Sequence, residues 1–369
     1  MNKASSHSTE LAQREFERIC LIKPSSLGDV IHALPVLAGL RRRYPRAHLT
    51  WLVNRTFAPL VEGHPDLNEV IAFDRGHFTR LWRRPGRLGA FAGFLRQLRR
   101  KRFDLVIDLQ GLFRSGLFTR ATGAPIRIGF RQAREAAHLA YTHRLAPTAG
   151  NTHAVQRNLH AGNLLGFAKT PAAFDLHVTA DERAGIRTLL DANGVDRDSG
   201  FLLVFPGARW ATKRWSAKHF AATVDRLTTA LDRPVVLHGA PDERELCERI
   251  ADQTQSRPRV LAGQTDLRLL VALVAEAGFV LCQDSAPMHL AAALDRPMLA
   301  LIGPTNPHRT GPYQRPDTVL RRELPCAPCY LRRIERCPHA HTCLRDLTPD
   351  AVVDRILRAV QPVGLVTDT

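Results

Sequence analysis

The sequence has 369 residues, 44% hydrophobic and 24% charged, a composition that excludes a disordered chain and at this length predicts two domains rather than one core. Fifty-two Lys and Arg against 35 Asp and Glu leave a formal net charge of +17, which selects polyanionic partners such as nucleic acid, anionic lipid or phosphorylated glycolipid without naming a chemistry. The first sixteen residues hold no apolar signal core, and no later stretch reaches the roughly 18 apolar residues that a membrane span requires, so a cytoplasmic location is expected; seven cysteines argue against a complete disulfide scaffold.

Short apolar runs alternate with helical patterns, the signature of βαβ units and parallel sheets. In the first half, strands are expected at Ile19–Ile22, Leu49–Val53, Val70–Phe73 and Leu105–Leu109. The first runs into Lys23, Pro24, Ser25, Ser26, Leu27, Gly28 and Asp29, then an apolar helical pattern that Pro35 should kink or restart. Ligands meet open parallel sheets at the C-terminal ends of strands, and Gly28 permits close approach to the backbone. A carboxylate there, Asp29, could act as a general base on an acceptor hydroxyl, or be a first-turn acid favoured by the helix dipole. The loop lacks the glycine fingerprint of dinucleotide dehydrogenases and that of phosphate-loop nucleotidases.

Between Phe78 and Arg102 stand Arg80, Arg83, Arg84, Arg87, Arg96, Arg99, Arg100, Lys101 and Arg102, with no acid. Trp82, Leu88, Phe91, Phe94, Leu95 and Leu98 interleave with them. This pattern fits a solvated basic helix covering a core, or an amphipathic segment on an anionic membrane surface. No nucleic-acid-binding motif accompanies it.

The order of elements restarts near residue 175, where a helix opens at Thr179, Ala180, Asp181 and Glu182. Asp196, Arg197 and Asp198 spell D-x-D between two glycines, a polar turn rather than a metal motif. Strands are expected at Leu202–Phe205, Val235–Leu237, Phe279–Cys282 and Met298–Ile302. After the first of these, Arg209 or Lys213 could neutralise a departing diphosphate, although a basic surface loop would look the same. After the second, Glu243 could accept hydrogen bonds from a ribose. After the third, Asp284 or Ser285 reads as a helix cap with Pro287 in the first turn, a terminus suited to a pyrophosphate, and Ser285 and His289 share one helical face. Cys326, Cys329, Cys337 and Cys343 form C-x2-C-x7-C-x5-C, a spacing compatible with a structural zinc, with reduced thiols or with disulfides. A helix over Pro349–Val360, capped by Thr348, closes the pattern.

Together the segments "IKPSSLGDVIHALPVL", "DLVIDLQGLFRSGL", "PGARWATKRW", "DSAPMHLAAAL" and "GPTNPHRTGPY" resemble the ADP-heptose lipopolysaccharide heptosyltransferase family, glycosyltransferase family 9, from about Arg18 to Arg358. The resemblance implies an α/β chain of GT-B architecture, two Rossmann-like domains facing across a cleft. Residues 17–175 would form an acceptor-binding domain and 176–346 a nucleotide-sugar-binding domain. Residues 347–369 would form a C-terminal helix and tail packing back on the first domain. It implies an inverting enzyme that needs no catalytic metal or other cofactor, moving heptose from ADP-heptose onto Kdo-lipid A or heptosyl-Kdo-lipid A. Its partners would be that anionic glycolipid and the inner membrane surface, reached peripherally from the cytoplasm, and not nucleic acid. Asp29 would be the base and Lys213 the diphosphate partner. Arg209, Glu243, Asp284, Ser285, Ala286 and His289 would bind donor, and Ser25, Ser26, Gly28 and Gln110 acceptor. Many relatives carry Gly at the position of Ala286, which crowds the phosphates here by a methyl group. The opening motifs resemble the enzyme adding the first heptose, whereas "PGARWATKRW" and "CAPC" also resemble the one adding the second. A transferase using another nucleotide sugar, or a non-catalytic basic module for anionic glycolipid or nucleic acid, are the alternatives.

Overall fold

The computed structural model describes residues 11–74, 85–167, 171–197 and 199–360. Phe78, Arg80, Trp82, Arg83 and Arg84 of the basic stretch, Asp198 of the D-x-D triplet and the tail from residue 361 lie outside the described residues. The chain divides into two compact units, Met1–His177 and Val178–Thr369.

The first unit holds a parallel six-stranded sheet in the order β3-β2-β1-β4-β5-β6: β1 Arg18–Ile22, β2 His48–Asn54, β3 Glu69–Phe73, β4 Leu105–Asp108, β5 Ile126–Phe130 and β6 His143–Leu145. Its central strands are apolar almost throughout because helices cover both faces; in register, Ile19 pairs with both Leu49 and Leu105. Pro35 does restart the first helix, which ends at Ile31 and resumes as Leu34–Arg43 with the proline in its first turn.

The basic helix Pro85–Arg100 divides its faces. Leu98 is buried, and Phe91, Phe94 and Leu95 pack on a core of Ile22, Phe73, Val106 and Phe118. Phe94 meets the rings of Phe73 and Phe118 at 5.9 and 5.3 Å. Phe91, Phe94, Leu95 and Leu98 are therefore committed to the protein's interior. Leu88, Arg96, Arg99 and Arg100 are exposed, while Lys101 is ion-paired with Glu69.

The second unit repeats the plan, its sheet running β12-β11-β10-β7-β8-β9: β7 Leu202–Phe205, β8 Val235–Leu237, β9 Arg259–Val260, β10 Phe279–Gln283, β11 Met298–Leu301 and β12 Val319–Leu320. It is preceded by a helix, Ala180–Ala192, whose cap is reciprocal: Glu182 N–H donates to Thr179 Oγ1 at 3.2 Å and Thr179 N–H to Glu182 Oε2 at 2.8 Å. Arg197 of the D-x-D triplet pairs with Asp191 at 2.8 Å in the connection before β7. The closing helix, Pro349–Val360, buries Val352, Val353 and Ile356 in the second unit's core with Phe220, Val224 and Leu301. Its apolar stripe completes the sheet layer from which it emerges.

Both sheets have the strand order of the Rossmann fold, in which the chain reverses direction across the sheet beside the first strand. The crevice at that reversal lies between β1 and β4 in the first unit and between β7 and β10 in the second.

Candidate active site

The first reversal point gathers the expected acceptor loop. Asp29 occupies the first turn of the five-residue helix Leu27–Ile31, with 43% of its side chain exposed. Its Oδ2 accepts from Ser26 Oγ at 2.8 Å and from Ser26 N–H at 3.0 Å, and the Ser25–Ser26 peptide is cis. Lys23 Nζ lies 3.6 Å from Asp29 Oδ1 and donates to Leu109 O at 2.9 Å. Burial lowers the Lys23 ammonium's pKa from its ordinary value, and the Asp29 charge opposes that shift. Ser25 N–H reaches Gln110 Oε1 at 3.4 Å, so the loops after β1 and β4 touch, and Gly28 is buried beneath them.

Below Gln110 sits a group that motif reading passes over. Asp108, fully buried at the end of β4, accepts from Tyr141 Oη at 2.7 Å and from the N–H groups of Gln110 and Gly111 at 2.8 and 3.1 Å. Burial raises its pKa and these hydrogen bonds hold it down. The "VIDLQG" run contains both residues, and a carboxylate ending an otherwise apolar strand was the available signal.

At the second reversal point, Lys213 Nζ pairs with Asp284 Oδ2 at 2.7 Å, the two side chains 15% and 5% exposed. Asp284 also accepts from the hydroxyl of Thr305, a residue of "GPTNPHRTGPY" that the sequence reading does not single out. Four neighbouring strands, β8, β7, β10 and β11, thus deliver Glu243, Lys213, Asp284 and Thr305 to one sheet edge. Trp210 lies under the cations, with Lys213 Nζ 4.6 Å and the Arg332 guanidinium 4.8 Å from its ring centre. Arg209 is exposed.

Glu243 accepts from Ala240 N–H at 3.0 Å, and its position depends on two glycines. A Cβ on Gly207 would collide with its carboxylate, and one on Gly239 would come within 2.9 Å of its Cβ. The helix Ala286–Ala293 starts from Ser285, with Ala286 and Pro287 in its first turn and His289 part-buried one turn on. Ser285 Oγ bonds back to Gln283 O at 3.4 Å rather than capping the helix.

Cys326, Cys329, Cys337 and Cys343 are free; burial pushes the Cys343 thiol's pKa up, and the other three cysteines add to that shift. Among the described residues no group of three or more His, Cys, Asp or Glu side chains is placed to hold a metal ion, so the zinc expectation gains no support. Also among the described residues, no helix is long and apolar enough to cross a membrane.

The model of glycosyltransferase family 9 (heptosyltransferase) matches residues 92–338. Lipopolysaccharide heptosyltransferase 1 of Pseudomonas aeruginosa is 34% identical over 321 residues, 85% of this chain and 86% of that protein. The structure of Escherichia coli heptosyltransferase WaaC with ADP-2-deoxy-2-fluoro heptose is similar at a TM-score of 0.72 and 27% identity, covering 92% of this chain and 99% of that one. A family 9 glycosyl transferase from Veillonella parvula shares the fold at a TM-score of 0.80 and 22% identity, covering 94% and 97%.

Proposed function

Because the chain belongs to glycosyltransferase family 9, the heptosyltransferases, we propose that it transfers heptose from ADP-heptose to the lipopolysaccharide inner core, with Asp29 as base and Lys213 as partner of the departing diphosphate. In this reading the first unit binds the acceptor and the second the nucleotide sugar. Asp29 removes the proton from an acceptor hydroxyl, that oxygen bonds to C1 of the heptose, and the bond from C1 to the diphosphate oxygen breaks. Attack opposite the leaving group inverts the anomeric centre.

The observation that carries the chemistry is the Lys213–Asp284 pair at the reversal point of the second sheet. A cation fixed in advance, where negative charge develops on a leaving group, lowers the barrier without reorganisation at the moment of reaction. Asp284 contributes by holding that cation. Glu243, at the adjacent strand end, has the acceptor oxygens a ribose diol would need. Ser285, Ala286 and His289 line the start of a helix whose free N–H groups suit phosphate, and Arg209 stands four residues before Lys213 in its loop. Ser25, Ser26, Gly28 and Gln110 surround the proposed base on the acceptor side.

The exposed guanidinium groups of Arg96, Arg99 and Arg100 support peripheral contact with the anionic cytoplasmic leaflet by charge, since the apolar side of their helix is occupied by the core. Incubation of the protein with a lipid A-type acceptor and, separately, ADP-heptose or UDP-sugars tests the assignment. Heptose transfer from ADP-heptose with inversion is expected; turnover with UDP-sugars alone would overturn it.

A further inference from the structure

We infer that residues 330–347 form a strap that positions Lys213, and that His341 is the residue through which it acts; the inference rests on the reading of Lys213 as partner of the diphosphate. Lys213 ends a three-residue turn, Ala211–Lys213, with its own N–H bonded to Trp210 O at 3.0 Å. The carbonyl of Thr212 belongs to the peptide that joins it to Lys213, so the plane of that peptide sets the direction in which the lysine leaves the backbone. His341 Nε2 lies 2.7 Å from this carbonyl. A carbonyl only accepts, so Nε2 carries the proton and donates.

The other contacts agree. Thr212 is buried, and its hydroxyl donates to Leu331 O. Tyr330 N–H donates to Pro304 O at 2.9 Å, one residue before the Thr305 that bonds Asp284. At the far end, the indole N–H of Trp215 donates to Leu347 O at 2.9 Å. The strap thus reaches both loops that carry the Lys213–Asp284 pair. Tyr330 and His341 have φ values of 54° and 60°, a left-handed conformation that side chains other than glycine adopt only when their surroundings hold them there.

Displacement of a catalytic group by about 1 Å can cost on the order of 100-fold in rate, so loss of the His341 bond should act on turnover. His341→Ala is expected to lower kcat about tenfold or more with little change in the donor's KM, and with a thermal midpoint lowered by only a few degrees, as for one lost hydrogen bond. Gln can place an N–H near the position of Nε2, whereas the shorter Asn cannot; His341→Gln should keep most activity and His341→Asn should lose it. In a Lys213→Ala background, His341→Ala should cause no further loss, because it acts through the group already removed. Equal activity of the Gln and Asn variants, or losses that multiply in the double variant, would overturn the strap, and the Gln–Asn comparison decides if the Ala variant does not fold. Activity lost in Lys213→Ala but kept in His341→Ala overturns the strap alone, whereas full activity of Lys213→Ala overturns the reading of Lys213 itself.

Discussion

The ammonium of Lys23 stands 3.6 Å from the carboxylate of Asp29, the lysine buried and the aspartate 43% exposed. The buried ammonium thus faces a half-open carboxylate that stays accessible to an acceptor hydroxyl. Asp29→Asn should retain donor binding and lose transfer by about 10²- to 10⁴-fold, the usual contribution of a general base. Lys23→Met should lower kcat/KM, since the charge that faces and orients the carboxylate is gone. Steady-state kinetics of both variants check this; an unchanged kcat/KM in Lys23→Met would detach the lysine from the base.

Gly207 sits where any side chain would strike the carboxylate of Glu243. Gly207→Ala should therefore displace Glu243 and raise the donor's KM while kcat falls little, the pattern of lost uniform binding. Glu243→Gln, which keeps the shape but weakens acceptance from a ribose hydroxyl, should change KM in the same direction by less. Steady-state kinetics with varied ADP-heptose measure both.

How far the sequence discloses these features depends on burial and separation. Strands covered on both faces, such as Ile19–Ile22 and Leu202–Phe205, are legible as continuous apolar runs. β9 and β12 are two-residue edge strands with too little pattern to see, and β5 is interrupted by Arg127 and by Gly129, against which the ring of Tyr141 packs. Asp29 and Lys213 stand within motifs. Lys23 and Asp108 are charged residues whose burial only the fold reveals, and His341 lies 129 residues from the carbonyl it binds. Cysteine spacing suggests a metal, but spacing does not fix where side chains point.

Arg96, Arg99 and Arg100 are exposed on a helix whose Phe91, Phe94, Leu95 and Leu98 pack into the core. Binding to anionic vesicles should therefore be electrostatic, weakened by salt and free of insertion. The Arg96→Ala, Arg100→Ala double variant should lose about 2 kcal/mol of affinity, at about 1 kcal/mol per basic residue near the surface, without loss of folding. Cosedimentation with phosphatidylglycerol vesicles against neutral ones reads this out, and undiminished binding of the variant would locate the contact elsewhere.

His238 directly follows β8, in the segment that leads through Gly239 to Glu243. It is buried, its Nε2 lies 2.8 Å from Thr265 Oγ1, and burial alone pushes its pKa from 6.5 down to about 4. Between those values the unfolded chain binds a proton that the folded chain excludes, so stability rises with pH across this window. The contribution is fully present above about pH 6.5 and is lost as the pH drops toward about 4, amounting to about 3 kcal/mol at 1.36 kcal/mol per unit. His238→Leu removes the titration and should flatten that part of the curve, even though loss of the Thr265 bond lowers stability at neutral pH. Denaturant unfolding of wild type and variant across the window measures the difference in slope; identical slopes would mean that the acid sensitivity resides in other groups.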